Sequence, residues 1–169
     1  SALKTLRLVR SVEQVWLYEP EPAFNFERAR RLATSMSMAI HAADSVAEAV
    51  EGADVVVLTG DVTLGEVPLR PGVHVNVVSA ETFTSPPLTP VQLTRARAFV
   101  DGAASDLSWG APFTSLTDVL RANAPGRRVA EDITLFASVS PAHLDLLAAW
   151  HVYEGARHDE ALTRIDLEA

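Results

Sequence analysis

The chain contains no cysteine among its 169 residues. That excludes a disulfide framework, a thiolate zinc site and a cysteine nucleophile. Positive charge is scarce too: 14 basic residues face 22 acidic ones, the net charge is −8, and Lys4 is the single lysine. A basic face that could grip a phosphate backbone is missing, so no nucleic-acid partner is expected. No apolar run reaches the roughly 18 residues of a membrane span. The N-terminus, SALKTLRLVR, has neither the apolar stretch nor the cleavage site of a secretory leader. A soluble, cytoplasmic chain with no membrane partner is the expectation. Glycines stand at 52, 60, 65, 72, 102, 110, 126 and 155, and no two are two residues apart. The turn G-x-G-x-x-G is therefore absent, as are a P-loop and a G-x-S-x-G elbow. His41, His74, His143, His151 and His158 form no metal-binding spacing, so no metal is expected.

What is present is apolar substance in a regular order. Hydrophobic residues make up 48% of the chain, enough to bury one core, and one domain is the natural reading. Ser1–Arg10 carries Leu3, Leu6 and Val9 at helical spacing. The run Gln14–Tyr18 suits a strand buried on both faces. Pro22 opens a helix to about Thr34, with Phe26, Ala29, Leu32 and Ala33 directed inward. Met38–Ala42 reads as a strand, and Ser45–Val50 as a short helix with an S-x-x-E capping box. Asp54–Thr59 and Val73–Ser79 read as strands, the second after the Pro71-Gly72 turn. Val91–Arg95 is a helical turn, Ala98–Asp101 a strand, and Leu116–Ala122 helical. Ile133–Ala137 is a strand, and Pro141 opens a long apolar helix.

Strands alternating with helices, most of them continuous apolar runs, define an α/β fold with a mostly parallel sheet and helices on both faces. Ligands of such sheets sit at the C-terminal ends of the strands. That rule places Glu19, Thr59–Asp61, Ser79–Glu81, Asp101 and Ser138–Ser140 on one candidate rim. Each has a plain structural reading beside the functional one. Glu19 can be a solvated loop carboxylate, Thr59-Gly60 an ordinary turn, and Glu81 the first polar residue of a loop. Ser140 precedes Pro141 and can cap the helix. His74 is expected to face a polar neighbour. Trp16, Trp109 and Trp150 read as core or interface anchors.

The wording of four segments resembles the ornithine cyclodeaminase / μ-crystallin family. In the block 131–156, Ile133, Thr134, Leu135, Phe136, Ser138, Ala142 and Asp145 fit a strand-to-helix pattern of the type "ITLF-S-G-A--D", with Ser140 at the usual Gly. Leu69–Glu81 is similar to the family's "lkpGahvnavGaD", with Ser79 for Gly and Glu81 for Asp. Asp54–Gly60 follows "gADvVvtaT". Ala2-Leu3, Leu8–Arg10 and Val15–Tyr18 match "A-L--vr-v--V-vyd", the helix and strand after the family's glycine turn.

The resemblance implies a Rossmann-like domain over residues 1–158 that lacks its first strand and glycine-rich turn, with 159–169 as a tail or docking segment. It implies NAD as cofactor, with Glu19 on the ribose hydroxyls disfavouring the 2′-phosphate of NADP. Thr59, Gly60, Ser79, Ser138 and Val139 would line the cofactor. Glu81 would be catalytic, standing where the family's Asp meets substrate. A carboxylate supports the same acid/base work, but its extra methylene shifts it by about 1 Å. Asp145 is open between an intrahelical ion pair and a contact with another domain. The family's N-terminal domain, with its catalytic lysine and substrate-gripping arginines, has no counterpart here. Two readings follow. The chain is the cofactor part of an enzyme acting on a small amino or imino acid, as a homo-oligomer or with a partner chain. Alternatively it is a non-catalytic interaction subunit.

Overall fold

The computed structural model describes residues 2–103, 107–139 and 142–157. Ser140, Pro141, His158 and the segment 159–169, for which a cap, a helix start and a tail are expected, lie outside the described residues. The elements alternate as the apolar runs demand. Helix α1 (Ala2–Val9) leads to β1 (Val15–Leu17), α2 (Pro22–Met36), β2 (Ile40–Ala42), α3 (Val46–Val50) and β3 (Val55–Thr59). Strand β4 (His74–Val78), α4 (Pro90–Arg95), β5 (Arg97–Val100), β6 (Thr114–Ser115), α5 (Leu116–Leu120), β7 (Thr134–Ala137) and α6 (Ala142–Ala156) complete it.

All pairings among the named strands are parallel. They form a five-stranded sheet of order β3-β4-β7-β5-β6 and a two-stranded sheet of β1 and β2. In a doubly wound sheet the second and third strands lie on one side of the first, and the fourth onward on the other. The division into β1-β2 and β3 onward follows that grouping. The chain is thus an α/β, Rossmann-like domain.

The core belongs to the larger sheet. Val56 pairs with Val75, Val75 with Leu135, and Leu135 with Ala98, so β-branched and aliphatic side chains line up across four strands. Val75, Val77, Leu135 and Ala137 are fully buried, and Leu64, Phe83, Leu88, Leu93 and Trp109 pack on them. Each buried Val or Leu stabilises the fold by roughly 1.5–3 kcal/mol over its exposed state. Two turns hold this sheet to its connections. Gly72 has φ +85°, and a Cβ there would stand 2.7 Å from the Ala130 carbonyl oxygen, so only glycine fits. Thr89 and Gln92 form a full capping box ahead of Pro90, which the sequence reading passed over.

The smaller sheet is less buried than expected. The strand read as buried on both faces is three residues long, and Trp16 in its centre is 41% exposed, stacked on His41 of the neighbouring strand at 4.8 Å. Helix α2 turns Asn25, Ala29 and Met36 inward, one stripe at helical spacing. Phe26 lies one position round the helix from Asn25. It is 73% exposed, not inward as expected. At α3, Ser45 Oγ accepts from Glu48 N–H as expected, but the Glu48 carboxylate accepts from Asp44 N–H rather than closing the box on Ser45. The two-residue β6 and a 3₁₀ turn at Ala80–Thr82 are too short to carry a readable period.

Candidate functional site at the carboxyl ends of the strands

Parallel pairing brings the ends of β3, β4, β7 and β5 side by side, so Thr59-Gly60, Ser79–Glu81, Ser138-Val139 and Asp101 share one rim. Hydrogen bonds lace this rim in sheet order. The Asp61 carboxylate, just past β3, accepts from Thr84 N–H at 3.2 Å and from Thr84 Oγ at 2.6 Å. Ala80 N–H, just past β4, donates to the Ser138 carbonyl at 2.6 Å. Ser138 Oγ donates to one oxygen of Asp101 at 2.7 Å, and Val139 N–H donates to the other at 2.9 Å.

Glu81 sits in the middle of that lacing. It lies on the 3₁₀ turn Ala80–Thr82, is exposed, and makes no hydrogen bond to a described residue. Its neighbours are fixed. Ala80 is fully buried, and Phe83 packs edge-on against Trp109 at 6.2 Å. Ser79 opens the turn with φ 56° and ψ 53°, the left-handed region, without a side-chain hydrogen bond to the turn. That conformation costs a non-glycine residue about 1–2 kcal/mol. Gly60 has φ +82° with no atom within 4 Å of a would-be Cβ, so bare backbone faces open space at the end of β3.

Glu19 stands apart, two residues beyond β1, in a depression of about 390 Å³ lined also by Tyr18, Asn25, Phe26, Ala43 and Asp44. Its carboxylate accepts from Arg28 of α2 at 2.5 Å. Asn25 Nδ2 donates to the Ala43 carbonyl at 2.7 Å, while its buried Oδ1 has no partner among the described residues. Of the residues read from sequence, Thr59, Gly60, Ser79, Glu81, Ser138 and Val139 come together, and Glu19 is on the other sheet. Arg28, Asn25 and Thr84 were missed. Asn25 had a signal, being a polar residue on the inward stripe of α2; Arg28 and Thr84 had none.

The amino ends of the strands hold a titratable group shifted from its ordinary pKa. Burial and the Arg127 guanidinium both hold His74 below its usual pKa. Arg127 Nη2 donates to Thr134 Oγ1 at 2.8 Å, and His74 Nδ1 shares a hydrogen bond with the same hydroxyl at 2.8 Å. That hydroxyl is the polar neighbour expected for His74, which stands at the amino end of β4. Among the described residues no group of side chains could hold a metal ion. No helix there is long and apolar enough to cross a membrane.

A parallel α/β sheet with a ligand-accessible rim at its strand ends defines the class as dinucleotide-fold domains. Residues 1–160 match the model of the ornithine cyclodeaminase/mu-crystallin family, and the chain belongs to that family. It is 30% identical to the ornithine cyclodeaminase of Agrobacterium tumefaciens (strain Ach5), over 98% of this chain and 50% of that protein. It is 29% identical to the ornithine cyclodeaminase of Brucella abortus, over 96% of this chain and 49% of that protein. The chain thus spans about half the length of the curated relatives it matches. Its fold is that of the Thermococcus litoralis Δ1-pyrroline-2-carboxylate reductase solved with NADH and L-proline, with a TM-score of 0.79 at 21% identity, covering 97% of this chain and 56% of that one. An archaeal alanine dehydrogenase dimer with bound NAD superposes with a TM-score of 0.76 at 21% identity, covering 98% and 56%.

Proposed function

We propose that the chain is the cofactor-domain part of an NAD-dependent enzyme of the ornithine cyclodeaminase, amino acid dehydrogenase or imine reductase type, acting on a small amino or imino acid in the cytoplasm. The observation that carries this reading is the rim: an exposed carboxylate, Glu81, on a loop tied to the ends of the neighbouring strands, in a chain of this family.

The residues fit a dinucleotide at its two ends. Glu19 in its depression would accept from the two ribose hydroxyls and repel a 2′-phosphate, favouring NAD over NADP. Thr59, Gly60, Ser79, Ser138 and Val139 would line the nicotinamide side, where Gly60 leaves backbone open to approach. The diphosphate has no G-x-G-x-x-G turn in this sequence, so its cradle would come from elsewhere. When bound, the cofactor supplies the hydride acceptor as NAD, or the hydride donor as NADH, for the carbon bearing the amine or imine. Glu81 would take or give the proton at the amine or imine nitrogen as that carbon is oxidised or reduced.

Calorimetric titration with NADH and NADPH tests the reading. NADH should bind more tightly than NADPH. No binding of either, by the chain alone or with a chain that supplies a glycine-rich turn, would sink it. A second reading, an interaction subunit, draws on helix α6, where Leu146, Leu147, Trp150, Val152 and Tyr153 are all exposed. These residues also support assembly into a homo-oligomer or with a partner chain, because exposed apolar patches mark association surfaces.

A further inference from the structure

We propose that Asp61 and Asp101 are positioning residues that stake the loop of Glu81 from both sides. The inference rests on the proton-transfer reading of Glu81 given above. Glu81 has no hydrogen-bond partner among the described residues, so its place is set by the backbone on either side of it. Three residues downstream, Thr84 is held at both its N–H and its hydroxyl by Asp61, which β3 delivers. One residue upstream, Ala80 is held by the Ser138 carbonyl, and Ser138 is fixed in turn by Asp101, which β5 delivers.

The chemistry of both stakes is the same. Each carboxylate receives one backbone N–H and one hydroxyl, one on each oxygen. Neither can be replaced by a donor-only group, since a backbone N–H has nothing else to offer. A hydroxyl, by contrast, both donates and accepts. Asparagine at either position can therefore keep both contacts: its oxygen takes the N–H, and its amide donates to the Thr84 or Ser138 hydroxyl. Alanine loses both. Displacing a reacting group by about 1 Å can cost about a hundredfold in rate.

The Asp101 stake has a second consequence. The turn it fixes, Ser138-Val139, is the same one that would face the nicotinamide. One carboxylate therefore sets the spacing between the proton-transfer group on the β4 loop and the hydride-transfer wall at β7. Asp61 acts only on the far side of Glu81 and bears on the proton alone.

The test compares D61A, D101A, D61N and D101N in the enzyme that carries this chain. The alanine variants should lower kcat ten- to a hundredfold, with NADH affinity within twofold in D61A and weakened in D101A, whose turn lines the nicotinamide, and the asparagine variants should recover to within threefold of wild type. D101A should raise the substrate KM more than D61A does. Amide exchange of Ala80, Thr84 and Val139 should speed up at least tenfold in the matching alanine variant, with the core of β4 and β7 unchanged. This readout needs no activity, so it decides whether the stakes hold the loop even if wild type proves unable to transfer hydride. Should an alanine variant fail to fold, T84V and S138A each remove one hydroxyl contact and should move kcat and exchange the same way by a smaller factor. Unchanged exchange at those amides would overturn the proposal. So would a loss of NADH affinity and thermal stability in D61A in parallel with kcat, with no recovery by asparagine.

Discussion

The five-stranded sheet and the β1–β2 unit have the same parallel pairing, yet they differ in what lies beneath them. The larger sheet buries one face in a continuous core that takes in Val75, Val77, Leu135 and Ala137. The smaller one leaves Trp16 and Phe26 in solvent and rests on α2 and α3. Helix α6 resembles the smaller unit: its Trp150 is 58% exposed. The difference teaches that stability and rim geometry reside in the larger sheet. The exposed apolar faces of the smaller unit and of α6 lie outside that core.

Substitutions at matched apolar positions give the largest expected contrast. Leu135→Ala should cost about 2–5 kcal/mol, as for a fully buried leucine. Trp16→Ala should cost under about 1.5 kcal/mol, since its burial is incomplete. Urea unfolding of both variants checks this, and equal losses would erase the distinction. Gly72→Ala follows, at about 2–4 kcal/mol, because the left-handed φ and the approach of the Ala130 carbonyl act together.

Acid should strike the larger sheet through His74. Its pKa is lower folded than unfolded, so below its ordinary value near 6.5 the unfolded chain binds the proton first. Stability is complete above that pH and falls as pH drops toward the folded value, by no more than about 1.4 kcal/mol per pH unit for one proton. Denaturation midpoints at pH 7.5 and 5.5 for wild type and His74→Asn measure the term, and an unchanged slope in the variant would remove His74 as its source.

Smaller effects sharpen the contrast at its edges. Ser79→Gly should gain about 0.5–1 kcal/mol by relieving the left-handed φ, less the entropy that glycine loses on folding. Replacing Leu147 and Trp150 together by Glu should change unfolding free energy by about 0.5 kcal/mol or less, as both are exposed. Light scattering should show weaker self-association in that variant. Unchanged association would clear α6 of the role.

Much of this was legible in sequence because parallel strands announce themselves as short apolar runs. DVVVLT, VHVNVV and ITLFA became β3, β4 and β7, and their ends gave the rim. The error at Phe26 arose because apolarity was read as burial on a helix whose inward stripe runs through Asn25, Ala29 and Met36. Trp16 was misjudged for a related reason: a run of apolar residues does not say whether a strand has neighbours on both sides. The lacing was hidden, since Asp61 meets Thr84 and Asp101 meets Ser138 only after folding. Sequence separations of 23 and 37 carry no local signal. Family wording pointed to Glu81, while only the fold reveals how its loop is held.

We propose that the two regions serve opposite ends of one dinucleotide, with Glu19 of the small unit binding the ribose and Glu81 of the large sheet moving the proton. The most direct measurement is a kinetic and binding comparison of Glu19→Ala with Glu81→Gln. The account predicts that Glu19→Ala weakens NADH binding about ten- to a hundredfold and leaves kcat at saturating cofactor nearly unchanged. Glu81→Gln should lower kcat about a hundredfold or more and leave NADH affinity intact. Both variants moving the same parameter, or neither moving its own, would contradict it.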